Sequence, residues 1–147
     1  MCADVTKASL PPGRSEYIEK AWELKEDIRE EIGIFHYSKD FFENIYTNEF
    51  VYTRLSEDET KMLGFAIVRK RGYMSLLAVK EQKRGKGLGQ ALVRDSLNDF
   101  DELECTVRDT NKKALSFYEG FGFEIDSIEE QYYDNDDDGF HMIYEDT

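Results

Sequence analysis

Hydrophobic and polar positions switch between two periods along this chain, and the switches mark its elements. Residues 5–9 read as a short strand, closed by Leu10-Pro11-Pro12-Gly13, where proline cannot extend a ladder. After Ser15, read as a helix N-cap, Tyr17, Ala21, Leu24, Ile28 and Ile32 recur at helical spacing, joined by Ile18 and Trp22. Gly33 suits the end of that helix. Ser38 caps a second, shorter helix carrying Phe41, Phe42 and Ile45. Strand signals follow at 50–55, 62–69 and 73–79. They are joined by the polar turn Glu57-Asp58-Glu59 and the tight connection Arg71-Gly72, which predicts an antiparallel meander. A helix at 88–100, a strand at 103–107, a helix at 111–121 and strands at 123–128 and 140–144 complete the pattern. The order β-α-α-β-β-β-α-β-α-β-β predicts one α/β (α+β) domain over residues 1–147, with helices on both faces of the sheet.

Composition narrows the class. Of the 147 residues, 40% are hydrophobic and 14% aromatic, which fits a globular chain and not a disordered one. No run approaches a membrane span, and the N-terminal residues lack an apolar signal region, so a cytoplasmic setting is expected. Cys2 and Cys105 make no disulfide framework. With only His36 and His141 besides, no metal site is expected. His36 reads as a surface residue between helices, and His141 as a structural residue on a strand.

Charge then singles out one stretch. The net charge is −13, yet residues 61–100 carry nine basic and three acidic groups, net +6. An acidic surface argues against nucleic-acid or anionic-membrane partners, whereas one basic segment suits a dedicated anion site. That segment holds Gln82-Lys83-Arg84-Gly85-Lys86-Gly87-Leu88-Gly89, a strand-to-helix turn. Glycines bring backbone close to a ligand, and the free N–H groups of a helix start attract phosphate. Neither a Walker A loop nor a G-x-G-x-x-G fingerprint fits, since the third position counted from Gly85 and Gly87 is Gln90. Read alone, the stretch is equally a plain glycine-rich turn.

Two blocks together carry a resemblance. Arg84-x-x-Gly87-x-Gly89, preceded by Leu77-Ala78-Val79, is similar to the [QR]-x-x-G-x-[GA] acetyl-CoA signature of the GNAT superfamily of N-acetyltransferases. Downstream, Val107-x-x-x-Asn111-x-x-Ala114-x-x-Phe117-Tyr118-x-x-x-Gly122-Phe123 resembles that family's second block at every position. Asp138-Gly139-Phe140-His141-Met142, after Tyr132-Tyr133, resembles the D-A-x-x-M ending of ribosomal-protein and N-terminal acetyltransferases, with glycine in place of the alanine.

The resemblance implies a mixed, mostly antiparallel sheet of about seven strands, splayed between the fourth and fifth. It implies acetyl-CoA as co-substrate and no metal. The backbone of Arg84, Gly85, Lys86, Gly87, Leu88 and Gly89 is expected to hold the pyrophosphate, and Leu77, Ala78 and Val79 the pantetheine arm. Asn111 is expected beside that arm, opening its helix under a cap from Asp109 or Thr110. Ala114, Phe117 and Phe121 share the packed face, and Tyr118 serves as the acid that protonates the leaving thiolate. The glutamate that bacterial relatives carry before the matched valine is absent. Thr106 stands there, and Tyr73, Glu104 or a water chain remain as candidates for the base. Tyr132, Tyr133 and the acidic run at residues 134–138 are expected to form the acceptor entrance, or else a solvated turn. The implied activity is acetyl transfer to a primary amine in a ternary complex, a protein N-terminus first and a polyamine-like small amine second. A catalytically silent acyl-CoA-binding module is the alternative. A monomer or homodimer is expected.

Overall fold

The structure is a computed structural model. It describes residues 5–10, 17–32, 38–58, 60–130, 132 and 137–145, with side chains for all of these except 5–10 and 30–32. Ser15, Gly33, His36, Glu59, Tyr133 and residues 134–136 of the acidic run lie outside the described residues.

The elements run β1 (Val5–Leu10), α1 (Ile18–Ile32), α2 (Lys39–Asn48), β2 (Phe50–Ser56), β3 (Met62–Arg69), β4 (Tyr73–Val79), α3 (Leu88–Ser96), β5 (Glu102–Arg108), α4 (Lys112–Phe121), β6 (Glu124–Glu129) and β7 (Gly139–Glu145). They build one seven-stranded sheet in the order β1-β2-β3-β4-β5-β7-β6. Every pairing is antiparallel except β4 with β5, which is parallel and reduced to one pair, Tyr73↔Glu104. The implied splay is therefore present.

Alternation along the strands sends side chains into two cores. Val51, Leu55, Phe65, Ile67, Leu76 and Ala78 pack beneath α1 and α2 with Ala21, Leu24, Ile28, Phe42, Ile45 and Tyr46. On the other face Val68, Met74, Leu103, Cys105, Val107 and Met142 pack beneath α3 and α4 with Leu92, Val93, Leu115 and Tyr118. Each fully buried aliphatic or aromatic side chain contributes roughly 1.5–3 kcal/mol. β3 has buried residues on both faces at Met62 through Val68, as a central strand covered by helices requires.

Local departures from the sequence reading have local causes. Phe41 is 43% exposed, and Phe42, Ile45 and Tyr46 form the buried face of α2. α3 stops at Ser96, not Phe100. The Ser96 hydroxyl donates back to the Val93 carbonyl at 2.6 Å, and Leu97, Asn98 and Asp99 turn off in tighter bonds. Asn111 is itself the N-cap of α4: its side-chain oxygen accepts from the Ala114 N–H at 3.2 Å, so neither Asp109 nor Thr110 is needed. On α4 the fully buried residues are Leu115 and Tyr118, while Ala114, Phe117 and Phe121 are half-buried around them.

Behind the sheet, Arg54 of β2 places one guanidinium nitrogen 2.8 Å from both carboxylate oxygens of Asp95 on α3, and Asp95 is 4% exposed. At the start of β7, a Cβ on Gly139 would lie 2.9 Å from Thr106 Cγ2 and 3.2 Å from the Tyr132 ring. The alanine implied by the resemblance thus has no room beside this threonine.

Two stability effects are expected. Asp95→Ala leaves a buried guanidinium unpaired and lowers the unfolding free energy by about 3–5 kcal/mol in a denaturant titration, with Arg54→Met in the same chain recovering much of the loss. Gly139→Ala overpacks the β5–β7 pair and costs about 1–3 kcal/mol in the same measurement; adding Thr106→Ser, which removes Cγ2 and keeps the hydroxyl, restores most of it.

Candidate active site

The parting of β4 from β5 is built into β4. Leu76 pairs with Ile67 and Met74 with Val68, which leaves Ser75 as an extra residue in a bulge. The bulge resets the alternation: Met74 and Leu77 both face the α3–α4 core, and Leu76 and Ala78 face α1 and α2. The Ser75 hydroxyl is buried without a hydrogen-bond partner among the described residues. Beyond Tyr73 the edge of β4 toward β5 has no further strand pair, so a slot opens through the sheet from Met74 to Val79.

At one end of the slot, β4 runs into the basic turn. A short 3-10 turn at Glu81–Lys83 leads to Gly85 and Gly87, at φ 75° and 84°, a region that glycine adopts without strain. A Cβ at either position would meet nothing within 4 Å, so the backbone there faces open space. Gly87 starts α3 with no side-chain cap, which leaves the first-turn N–H groups to an outside acceptor. Arg84 donates from Nε to the Val79 carbonyl at 3.0 Å and ties the turn to the end of β4. Gly89 is a packing requirement: a Cβ there would sit 2.9 Å from the Phe117 ring and 3.8 Å from Val79. That close approach brings β4, the turn and α4 together. Leu77, Val79, Leu88, Gly89, Ala114 and Phe117 thus meet at this end of the slot, and residues 84–87 stay exposed.

At the other end lies Tyr118. Its hydroxyl is 3.8 Å from Met74 Sδ, one residue from the bulge. Burial pushes the phenol well above its ordinary value, so it stays protonated. Its ring stacks edge-on to Phe117 and Phe123 at 5.1 and 5.0 Å. Cys105 faces the same core, 2% exposed, its thiol raised to about 12 by burial. A thiol so placed is no nucleophile.

The opposite face of β5 opens into a cleft of about 620 Å³ lined by Glu49, Arg69, Lys70, Tyr73, Thr106, Glu129, Tyr132 and His141. Tyr73 donates to Thr106 Oγ1 at 2.8 Å; burial, with the Tyr132 phenol nearby, pushes Tyr73 up to about 12. His141 lies directly across from Thr106 on β7. Its Nε2 is 2.7 Å from Glu104 and its Nδ1 is 3.3 Å from Asp126.

The site residues named from the sequence therefore fall into two groups. The turn, β4 and α4 residues converge on the slot. Tyr132 lines the cleft on the other face, and Tyr133 is outside the described residues. The acidic run does not form the expected rim in its described part. Asp137 pairs with Arg108 at 3.2 Å and accepts from Thr110, and the Asp138 carbonyl accepts from the Asp109 N–H. The carboxylates on the cleft wall are Glu49 and Glu129 instead, and His141, read as structural, belongs to that wall. No local sequence signal marked His141: its place across from Thr106 follows from the β5–β7 register, which the structure supplies.

The chain resembles proteins of one kind. The family profile described as "Acetyltransferase (GNAT) domain" matches residues 22–145. A putative [ribosomal protein bS18]-alanine N-acetyltransferase of Bacillus subtilis is 28% identical across 93% of this chain and 95% of its own length. N-alpha-acetyltransferase 30 of Saccharomyces cerevisiae is 36% identical over 81 residues, 52% of this chain and 46% of the relative. The chain spans less than half the length of the N-alpha-acetyltransferase relatives of this kind from Xenopus laevis and yeast. In fold it is similar to a chain of the NatC complex, in a crystal structure with Gag peptide and CoA bound, with a TM-score of 0.78 at 20% identity over 98% of this chain and 99% of that one. With the profile covering most of its length and the slot, turn and helix in the arrangement just described, this chain belongs to the GNAT acetyltransferase family.

Proposed function

We propose that the chain is an acetyl-CoA-dependent N-acetyltransferase whose acceptor is a primary amine, a protein or peptide N-terminus foremost. The single observation that carries this reading is the slot: one parallel pair at Tyr73↔Glu104, then an unpaired inner strand edge that runs to an uncapped helix start. The residues fit CoA. The N–H groups of Gly85 through Gly89, with open space beside Gly85 and Gly87, suit a pyrophosphate that the dipole of α3 favours, while the Arg84 N–H is held by the Glu81 carbonyl. The pantetheine arm pairs with the free edge of β4 at Leu77 and at the Val79 N–H, as an added strand would, while the backbone groups of Ala78 face β3. Asn111 uses its side-chain oxygen for the cap of α4, which leaves its amide N–H groups for the arm.

The amine enters from the cleft and attacks the thioester carbonyl in the slot. A β4 backbone N–H stabilises the developing oxyanion. The C–S bond breaks and Tyr118, held protonated by burial, gives its proton to the thiolate. Because Cys105 is buried and protonated, transfer is direct and no acyl-enzyme forms. Glu49 and Glu129 on the cleft wall favour a cationic acceptor, and the similarity to proteins named for N-terminal acetylation supports an α-amine. The same carboxylates favour the second reading, a small polyamine-like acceptor.

Incubation with acetyl-CoA and a panel of N-terminal peptides and polyamines, with free thiol followed by colour, is expected to show turnover on the peptides first. Tyr118→Phe is expected to lower kcat by about 10-fold or more while calorimetric CoA binding holds. Its hydroxyl has only a weak contact with Met74, so stability changes little. Gly87→Glu is expected to abolish CoA binding, by strain at φ 84° and by a negative charge at the pyrophosphate seat. CoA binding without turnover on any amine would leave a silent acyl-CoA-binding module.

A further inference from the structure

The proposed transfer needs a proton acceptor for the incoming ammonium, and the position where the resemblance implies a glutamate holds Thr106. Thr106 is spent on the Tyr73 hydrogen bond. Tyr73, with its phenol at about 12, keeps its proton near neutral pH. Glu104 sits two residues back along β5 and is absent from the cleft wall.

His141 closes that gap. It stands across the β5–β7 ladder from Thr106, lines the cleft and is 19% exposed, with Glu104 behind it. Both of its neighbours are acceptors when ionised, so a neutral ring can donate to only one. Of its two contacts the one to Glu104 is the shorter, 2.7 Å against 3.3 Å, and on that ground the N–H of the neutral ring is assigned to Nε2. Nδ1 then carries the lone pair, with the Asp126 carboxylate 3.3 Å away and 54% exposed. A proton arriving at Nδ1 is met by that carboxylate, and the imidazolium then donates from both nitrogens. The two carboxylates sit on opposite ring nitrogens and share no common point, so the trio is no metal cage.

Resting on the acetyltransferase reading, we propose that His141, oriented by Glu104, is the general base that takes the proton from the acceptor ammonium. The balance is closed. One proton passes from the ammonium to His141 and on to solvent, and the neutral amine forms the C–N bond. As the C–S bond breaks, Tyr118 protonates the thiolate and is itself reprotonated by the second proton shed from nitrogen. The charged and titratable groups around His141 are Glu104 on β5 and Asp126 on β6, in contact with it, and Glu49, Arg69, Lys70, Tyr73, Glu129 and Tyr132, which line the same cleft.

The test is the pH profile of kcat/KM for a peptide N-terminal amine, in wild type, His141→Gln and Glu104→Gln, with acetyl-CoA affinity by calorimetry for each. His141→Gln is expected to lose about 100-fold near pH 7 with CoA affinity unchanged. The deficit is expected to shrink as pH rises past the acceptor's own pKa of about 8, where the amine deprotonates itself. Glu104→Gln is expected to lower kcat/KM by less than His141→Gln, with CoA affinity unchanged, because the ring loses the charged partner that orients it. A His141→Gln loss of equal size at every pH, or no loss, overturns the proposal while wild-type turnover leaves the acetyltransferase reading standing. A wild type that binds acetyl-CoA and acetylates no amine overturns both.

Discussion

A strand in the middle of a sheet normally spends its N–H and C=O groups on both neighbours, because buried backbone groups without partners are costly. β4 does so on one side only. Toward β5 it keeps one pair at Tyr73 and then runs unpaired to Val79. The sheet survives this because other contacts hold its halves together. Met74 and Val68 of one half share a core with Leu103, Cys105 and Met142 of the other, under a roof of α3 and α4. The open edge is thus held rigid with its hydrogen-bonding groups aimed at a missing strand. An extended ligand with amide groups is what such an edge accepts, and each other feature of the site is placed relative to it.

Much of this was legible in the sequence. Alternation or an apolar β-branched run located the strands and helical spacing the helices; β3, buried on both faces, shows the continuous run and not alternation. The ends of elements were less legible. Ser96 bonding back to Val93, and Asn111 capping its own helix, depend on side-chain geometry that periodicity does not carry. Phe41 lies on the expected helix, but which of two adjacent phenylalanines faces the core was not legible, since both cannot do so from a short helix. The turn at Gly85 and Gly87 was legible as a glycine-dependent passage from strand to helix, and both glycines do take positive φ there. Its partner across the slot, the Phe117 ring that forbids a Cβ at Gly89, was not, because it comes from 28 positions away in the chain.

The cleft was the least legible part, for a related reason. Its wall gathers residues from β4, β5, β6 and β7 and from the loops after α2 and β3. No local pattern announces such a set. The acidic run at 134–138 looked like a rim on composition alone. Its described end is consumed by Arg108, Thr110 and the Asp109 N–H, which close the loop onto β5. Charge density along a sequence says little about which charges are left for a ligand.

Two departures from the family pattern, and one residue at a position that pattern leaves open, become linked once the register is known. Thr106 replaces the glutamate, Gly139 replaces the alanine, and His141 stands two residues on. Thr106 Cγ2 occupies the space a Cβ at 139 would need, so the threonine and the glycine go together. Thr106 is also the cross-strand partner of His141, so a long side chain at 106 would contest the same part of the cleft as the imidazole. A small residue at 106 therefore leaves room for a titratable ring on the next strand, where Glu104 can reach it. In the proposed reaction acid and base are divided by the sheet itself: Tyr118, the proposed acid, is buried under α4 on one face, and His141, the proposed base, lines the cleft on the other.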